Sequence, residues 1–597
     1  MKNSRKNLLP VFAFIGLYSI LFTGFGYNES KNLKSDYDIL IKGGRLIDGT
    51  GNPWFYADVG IRDGKIVAVG NLKNTSASRV IDAKGKYVTP GFIDLHSHAD
   101  GPSRGQNRGL RSEDPKRRAA PNLVSQGITT LIVNQDGRSP ASIAKQKEEL
   151  ERRKFGPNTL LMVGHNSIRA AVLSGKLLYE MNSEDMQKVQ RFATSEEIIQ
   201  MRKLIREGMA NGAYGLSAGL EYVPGRWSNT AEVVALVAEL KERDGVFICH
   251  ERASGQDPMW YLPSQENVRV TSFLDNIVEL IEVSEKTGVN VVATHIKARG
   301  AYFWGSSHAA IQMIDRARAR GVRMWADQYP YNTSGSDGST RLIPQWIVGT
   351  EVASFMPDSD ERNYAKAIQI ILENESLTEK LKRDVAHELA RRGGPENIIV
   401  MDFPDSAYVG KSLYDLSTSL GISSFDLAIK LQVEGNPKMR GGARLRGFSM
   451  SEIDVEAYGA QRWCATTTDG GIALPGDGPV HARFYGTFPR KIRKYAIEQG
   501  IMTVEDAIRS STSLPAQILG FRNRGLVREG FHADLVVFDM DEIRDTATFF
   551  NPHQYSEGID YVLINGKFVV DGGELTWKLP GVIITPESGR RNPQIVN

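Results

Sequence analysis

Apolar residues along this chain fall into two textures. From Tyr37 onward, short runs alternate with polar positions: Ile39-Leu40-Ile41-Lys42-Gly43-Gly44, then Ala57-Asp58-Val59-Gly60-Ile61, then Lys65-Ile66-Val67-Ala68-Val69, with Asp63-Gly64 as a hairpin turn. The same texture returns near the end. Ala533-Asp534-Leu535-Val536-Val537-Phe538-Asp539 and Tyr561-Val562-Leu563-Ile564-Asn565-Gly566-Lys567 alternate in the same way, the second closing on Asn565-Gly566. Two β-rich ends around a different middle predict one small β-sandwich, built from residues 37–89 together with 516–580.

In the middle, continuous apolar runs alternate with helical periodicity. The strand candidates are Ile128 to Val133, Thr159 to Val163, Ala213 to Ser217, Val246 to Cys249, Val289 to Thr294, Val322 to Ala326 and Cys464 to Thr468. An eighth run ends in Pro90-Gly91-Phe92-Ile93-Asp94-Leu95-His96-Ser97-His98. Helical stretches such as Ala231 to Glu242 and Asn276 to Lys286 separate them. The alternation predicts an α/β fold, a (β/α)8 TIM-like barrel over residues 90–515, rather than a doubly wound sheet. Residues 337–452 are too many for a loop between the last two strands. They hold helical patterns at Arg362 to Asn374 and Leu377 to Arg392, and read as an insertion able to cover the site. The chain contains no internal repeat and no low-complexity tract.

Composition narrows the classes. With 597 residues, 41% of them hydrophobic, the chain can bury one large core and a satellite. Its 73 basic and 70 acidic residues nearly balance, so no global field recruits nucleic acid. Cys249 and Cys464 are the two cysteines, both in apolar runs, which excludes a disulfide framework. Residues 1–26 differ from the rest: Lys2, Arg5 and Lys6 precede the apolar stretch Leu8 to Gly26, the order of an export signal. Gly24 and Gly26 offer small residues for cleavage, and a retained membrane anchor is the alternative. The expected location is periplasmic or extracellular.

Candidate chemistry sits at the ends of the barrel runs. In a strand, residues i and i+2 share a face, so His96 and His98 can meet one metal ion. His250, His295 and Asp469 each follow a separate short apolar run, at the barrel end where such folds build their sites.

With those residues in place, the chain resembles the amidohydrolase superfamily, and within it the D-aminoacylase (N-acyl-D-amino-acid deacylase) family. The likeness runs from about Tyr37 to Gly573 and rests on Gly91-Phe92-Ile93-Asp94-Leu95-His96-Ser97-His98, Gly219-Leu220-Glu221-Tyr222-Val223-Pro224-Gly225, Asp327-Gln328-Tyr329-Pro330-Tyr331, the run His481 to Arg490, and Asn551-Pro552-His553-Gln554-Tyr555. The resemblance implies a divalent metal at the strand ends, zinc as one or two ions, and hydrolysis of an amide on a D-configured amino acid. By position, His250 and His295 match the tight ligands, His96 and His98 a second site, and Asp469 the catalytic acid/base. One departure stands out. Where the family has a bridging cysteine in Gly-Asn-Cys-Gly, this chain reads Asn134-Gln135-Asp136-Gly137, which puts a harder carboxylate ligand at Asp136. Lys297, Tyr329 and Arg483 match the positions that bind the substrate α-carboxylate.

These residues read as a site for N-acyl-D-amino acids, with D-configured dipeptides or other amides, cyclic ones included, as the alternative substrates. A non-catalytic metal-binding barrel is the reading from another class. His165 is expected to hydrogen-bond within the barrel, and Glu221 to be a structural carboxylate in its Pro-Gly turn. The membrane enters only through a retained N-terminal segment.

Overall fold

The computed structural model describes residues 35–100, 109–265, 270–335, 340–349 and 363–587. The expected export segment, residues 1–26, lies outside the described residues, as do residues 337–339 and 350–362 within the expected insertion. Among the described residues, no helix is long and apolar enough to cross a membrane.

Eight parallel strand segments follow one another around the centre. They are Phe92–Asp94, Ile128–Val133, Asn158–Leu161 continued by Val163–Gly164, Gly215–Gly219, Val246–His250, Asn290–Ala293, Met324–Gln328 and Cys464–Thr466. Each pairs with its successor in chain order, Met162 standing between the two halves of the third strand. The ring closes where the first strand meets the eighth: Ser97 bridges Gly470 in parallel, His98 N donates to Gly470 O at 2.8 Å, and Asp469 N donates to His96 O at 3.0 Å. The second, fourth, fifth and seventh strands are buried at every residue, as expected for a parallel sheet covered by helices outside and side chains inside.

Several strands run further than their apolar runs suggest. The fourth and seventh lie two residues later than expected, after turns at Gly212 (φ 95°) and Gly321 (φ 89°), and they end on Gly219 and Gln328. An apolar run marks only the part of a barrel strand that faces core, whereas the last residues face the mouth and carry polar chemistry. The helices follow the same logic. Phe273–Thr287 opens with a capping box between Ser272 and Asp275 and stops at Gly288 in the left-handed region (φ 69°).

Strands from both terminal portions share one nine-stranded sheet. The long strand Tyr37–Leu46 pairs through its first half with Ala77–Asp82 and through its second with Tyr87–Pro90, which in turn pairs with Leu535–Phe538. This division folds the sheet around its own core, which includes Ile41, Val59, Ile66, Val537 and Leu563. Between the seventh and eighth barrel strands, helices Tyr364–Leu372, Glu375–Arg391, Leu413–Leu420 and Ser424–Glu434 pack with the hairpin of Ile398–Asp402 and Arg444–Gly447 around a third core. This segment leans on the loop after the fifth strand, where Asp384 accepts from Ser264 N and Oγ and the Arg391 guanidinium binds Pro258 O.

Asp94 locks the ring shut. It is fully buried, and its carboxylate accepts from Thr467 Oγ1 (2.7 Å), Thr468 N (3.0 Å), Thr468 Oγ1 (2.6 Å) and His96 N (3.2 Å), joining the first strand to the eighth. Burial pushes this carboxyl up to about 6, with those four donors opposing the shift. Removing the acceptor leaves buried donors unpaired, at about 1–3 kcal/mol each. Asp94→Ala should therefore lower the thermal unfolding midpoint by several degrees, and Asp94→Asn, which keeps one carbonyl acceptor, by clearly less. Equal midpoints for wild type and Asp94→Ala would show that closure rests on backbone pairing alone.

Candidate metal centre and active site

The strand ends bring six of the expected residues into one buried cluster. Asp136 Oδ1 lies 3.4 Å from His250 Nδ1, 3.8 Å from His295 Nε2 and 3.6 Å from His96 Nε2, while its Oδ2 lies 3.7 Å from His98 Nε2. Asp469 Oδ1 stands 3.1 Å from His98 Nε2 and 3.6 Å from His96 Nε2. Three overlapping triads result: His96, His98 and Asp136; His96, His295 and Asp469; and Asp136, His250 and His295. Asp136 faces both pairs of histidines. Three of the six, Asp136 (φ 56°), His295 (φ 41°) and Asp469 (φ 46°), hold left-handed backbone, which costs a non-glycine residue about 1 kcal/mol or more. The chain turns sharply off each strand there and aims the side chain back across the mouth.

Hydrogen bonds on the far side of two rings fix which nitrogen faces the cluster. Thr294 Oγ1 donates to Asp327 and so accepts from His96 Nδ1 at 2.8 Å, leaving the His96 Nε2 lone pair toward Asp136 and Asp469. His250 Nε2 donates to Glu221 Oε2 at 3.0 Å, leaving Nδ1 toward Asp136. Glu221 is itself held by Arg299 Nη2 at 3.3 Å and by Met259 N at 2.5 Å. Asp327 also accepts from His295 N at 2.6 Å, and burial pushes its carboxyl up to about 8.

The cluster fits a divalent ion. Asp136 Oδ1 and His250 Nδ1 are buried and make no hydrogen bond of acceptable geometry, although they sit 3.4 Å apart. Ligand atoms about 2.0–2.2 Å from a tetrahedral ion are separated from each other by roughly 3.4 Å, the spacing seen here. Burial alone would raise Asp136 and Asp469, yet the surrounding imidazoles, and for Asp469 above all Arg483, hold both well below the usual carboxylate range. Burial likewise opposes charge on His250, but Asp136 and Glu221 outweigh it and push the ring up to about 9. His96, by contrast, is driven well down by burial and stays neutral.

Arg483, Lys297 and Tyr329 gather beside this cluster. Arg483 Nη2 lies 3.0 Å from Asp469 Oδ2 and its Nε donates to Asp469 O at 2.9 Å, while the buried Nη1 has no hydrogen-bond partner. Its guanidinium carbon stands 4.5 Å from the centre of the Tyr329 ring. Lys297 Nζ lies 2.8 Å from His295 Nδ1, and burial lowers its pKa despite facing Glu251 and Asp469. His165 is not part of the cluster; its Nε2 binds Glu232 at 3.0 Å within the barrel wall, as expected.

Sequence reasoning passed over the residues that position the cluster. Glu221, expected to be structural, does hold its turn, but it also orients His250. Thr294, Asp327 and Arg299 lie within or beside runs already singled out, where an alternation of apolar and polar residues just before a site residue was the available signal. Glu251 gave none. It is buried beside His250 without a hydrogen-bond partner for Oε1, and burial pushes it up to about 7 against the pull of Lys297.

A parallel barrel with imidazoles and carboxylates converging at the C-terminal mouth defines the class of metal-assisted hydrolase folds. The chain belongs to the amidohydrolase family, whose model matches residues 79–340 and 463–570. It is similar to a D-aminoacylase of Alcaligenes xylosoxydans xylosoxydans, with 30% identity over 565 residues covering 90% of this chain and 95% of that one. An N-acyl-D-glutamate deacylase of the same organism is 29% identical, covering 89% and 94%. Among solved structures, a D-aminoacylase with a binuclear metal centre superposes with a TM-score of 0.67 at 27% identity, covering 92% of this chain and all of that one. An N-acyl-D-glutamate deacylase from Bordetella bronchiseptica, complexed with zinc and a phosphonate inhibitor, superposes at 0.66 with 28% identity, covering 92% and 99%.

Partners behind a ligand imidazole typically govern metal affinity by about 10–100-fold. Glu221→Gln should therefore weaken metal retention by about that factor in chelator competition, whereas His165→Asn should leave it unchanged. Equal retention in wild type and Glu221→Gln would mean that His250 does not reach the ion.

Proposed function

We propose that this protein is a metal-dependent hydrolase that cleaves the amide of N-acyl-D-amino acids to a carboxylate and a free D-amino acid. The observation that carries the reading is the Asp136 carboxylate among four imidazoles, with Asp469 on one side and the unpaired Arg483 Nη1 beside it. His250, His295 and Asp136 form one ligand set, and His96 and His98 share Asp136 to form a second. Zinc is the ion we assign, supported by the zinc complex of the Bordetella deacylase. When bound, a divalent ion supplies Lewis acidity, which polarises a carbonyl and lowers the pKa of water from about 15.7 toward about 7.

The chain's own residues do the rest. Asp469, held ionised by Arg483 and the imidazoles, takes the proton of the attacking water as its oxygen bonds to the carbonyl carbon. The C–N bond then breaks, and Asp469 returns that proton to the departing nitrogen. Arg483 Nη1 and Lys297 receive the α-carboxylate, with Tyr329 walling that side; the arginine gives direction and the lysine a point charge. A substrate bearing a free carboxylate is thereby favoured over a neutral amide. The basic, apolar and then polar order of residues 1–30 supports export of the enzyme.

The reading is tested on the chain beginning at Tyr27, by measuring bound metal and the hydrolysis of paired N-acyl-D- and N-acyl-L-amino acids. Bound metal with release from the D-series alone is expected. Metal without release from either series would reject this substrate class in favour of cyclic amides or dipeptides. Asp469→Asn should lower kcat by about 10²–10⁴-fold while metal content stays at the wild-type level. A comparable loss of metal would make Asp469 a ligand rather than the proton carrier.

A further inference from the structure

A cavity of about 640 Å³ opens beside the cluster. Its floor includes His98 and Gln135, and its walls carry Leu178, Met186, Val223, Ile472 and Phe484. Leu178, Met186, Val223 and Ile472 are only half-buried, so apolar surface faces the opening instead of packing. Of the lining cations, Arg117 is held by Asp477 at 2.6 Å and Arg138 lies over the Tyr222 ring at 5.4 Å; no described carboxylate lines the cavity. The space is continuous with the centre through His98, whose side chain is 32% exposed.

Position around the barrel assigns the cavity to one part of the substrate. Lys297 and Tyr329 follow the sixth and seventh strands, and with Arg483 they are buried and line none of it. The cavity lies over the first four strands, on the opposite arc of the mouth, with Ile472 and Phe484 closing it from beyond the eighth. A substrate whose α-carboxylate meets Arg483 and Lys297 and whose carbonyl meets the centre can extend its acyl group across the mouth into this space. An acetyl methyl is about the size of one water, roughly 30 Å³, and would leave most of it empty.

Resting on the deacylase reading above, we propose that this cavity is the acyl subsite and that the preferred substrates carry an unbranched apolar acyl chain of several carbons rather than acetyl. Leu178 and Ile472 are specificity-determining residues there. Each methylene moved from water into such a wall is worth about fourfold in binding.

The test uses the metal-replete protein and compares kcat/KM for N-acetyl, N-hexanoyl and N-octanoyl derivatives of one D-amino acid, with N-acetyl derivatives of a small and a large D-amino acid alongside. The octanoyl substrate should exceed the acetyl by at least about tenfold. Leu178→Asp and Ile472→Asp should remove that advantage by lowering octanoyl kcat/KM far more than acetyl kcat/KM, with wild-type metal content and circular dichroism reporting that the variants fold. D-selective hydrolysis with no gain from acyl length would overturn the acyl subsite and leave the deacylase reading standing. Variants that discriminate by the amino-acid side chain instead would assign the cavity to that group and overturn the proposal. No hydrolysis across the whole D-series would reject both.

Discussion

Everything at the mouth of this barrel depends on one electrostatic constraint: two ionised carboxylates, Asp136 and Asp469, are buried among imidazoles, each 3.6 Å from His96 Nε2. Isolated, either would be forced to take up a proton by desolvation. Together with His96, His98, His250 and His295 they offer converging ligand atoms that a divalent cation would hold together. Several features of the fold serve this arrangement. The left-handed turns at Asp136, His295 and Asp469 aim side chains inward, Glu221 and Thr294 set the ring nitrogens, and Asp94 ties the first strand to the eighth so that the His96 and Asp469 segments stay in register.

Asp136 stands at the centre of the cluster. Its Oδ1 faces His250, His295 and His96, and its Oδ2 faces His98. A single carboxylate therefore reaches both histidine pairs. Oxygen is a harder donor than thiolate, so the ligand set leans toward harder divalent ions than a sulfur bridge would. The mouth is also divided: Lys297, Tyr329 and Arg483 lie on the arc after the sixth to eighth strands, while the half-buried side chains of Leu178, Met186 and Val223 lie over the third and fourth.

Much of this was legible in the chain because barrel chemistry clusters at strand ends. His96, His98, His250, His295 and Asp469 each follow an apolar run, and the structure brings all of them together with Asp136. Strand ends were less legible, since residues such as Gln328 are polar for the sake of the mouth and break the apolar pattern. The positioning residues were harder still. Glu221, beyond the fourth strand, orients His250 at the end of the fifth, and Glu251, beyond the fifth, faces Lys297, beyond the sixth, contacts that exist only once neighbouring strands have paired. The terminal sheet was readable from its alternation, yet the sharing of Tyr37–Leu46 between two partners is a matter of register that alternation does not specify.

The central claim is that a divalent ion sits on Asp136 between the two histidine pairs. The most direct measurement is an anomalous-scattering map, at the metal edge, of crystals of the enzyme as purified. The account predicts a peak within bonding distance of Asp136, His250 and His295, with any second peak beside His96 and His98. An active enzyme whose map shows no peak at Asp136, or whose metal lies elsewhere in the chain, would contradict it.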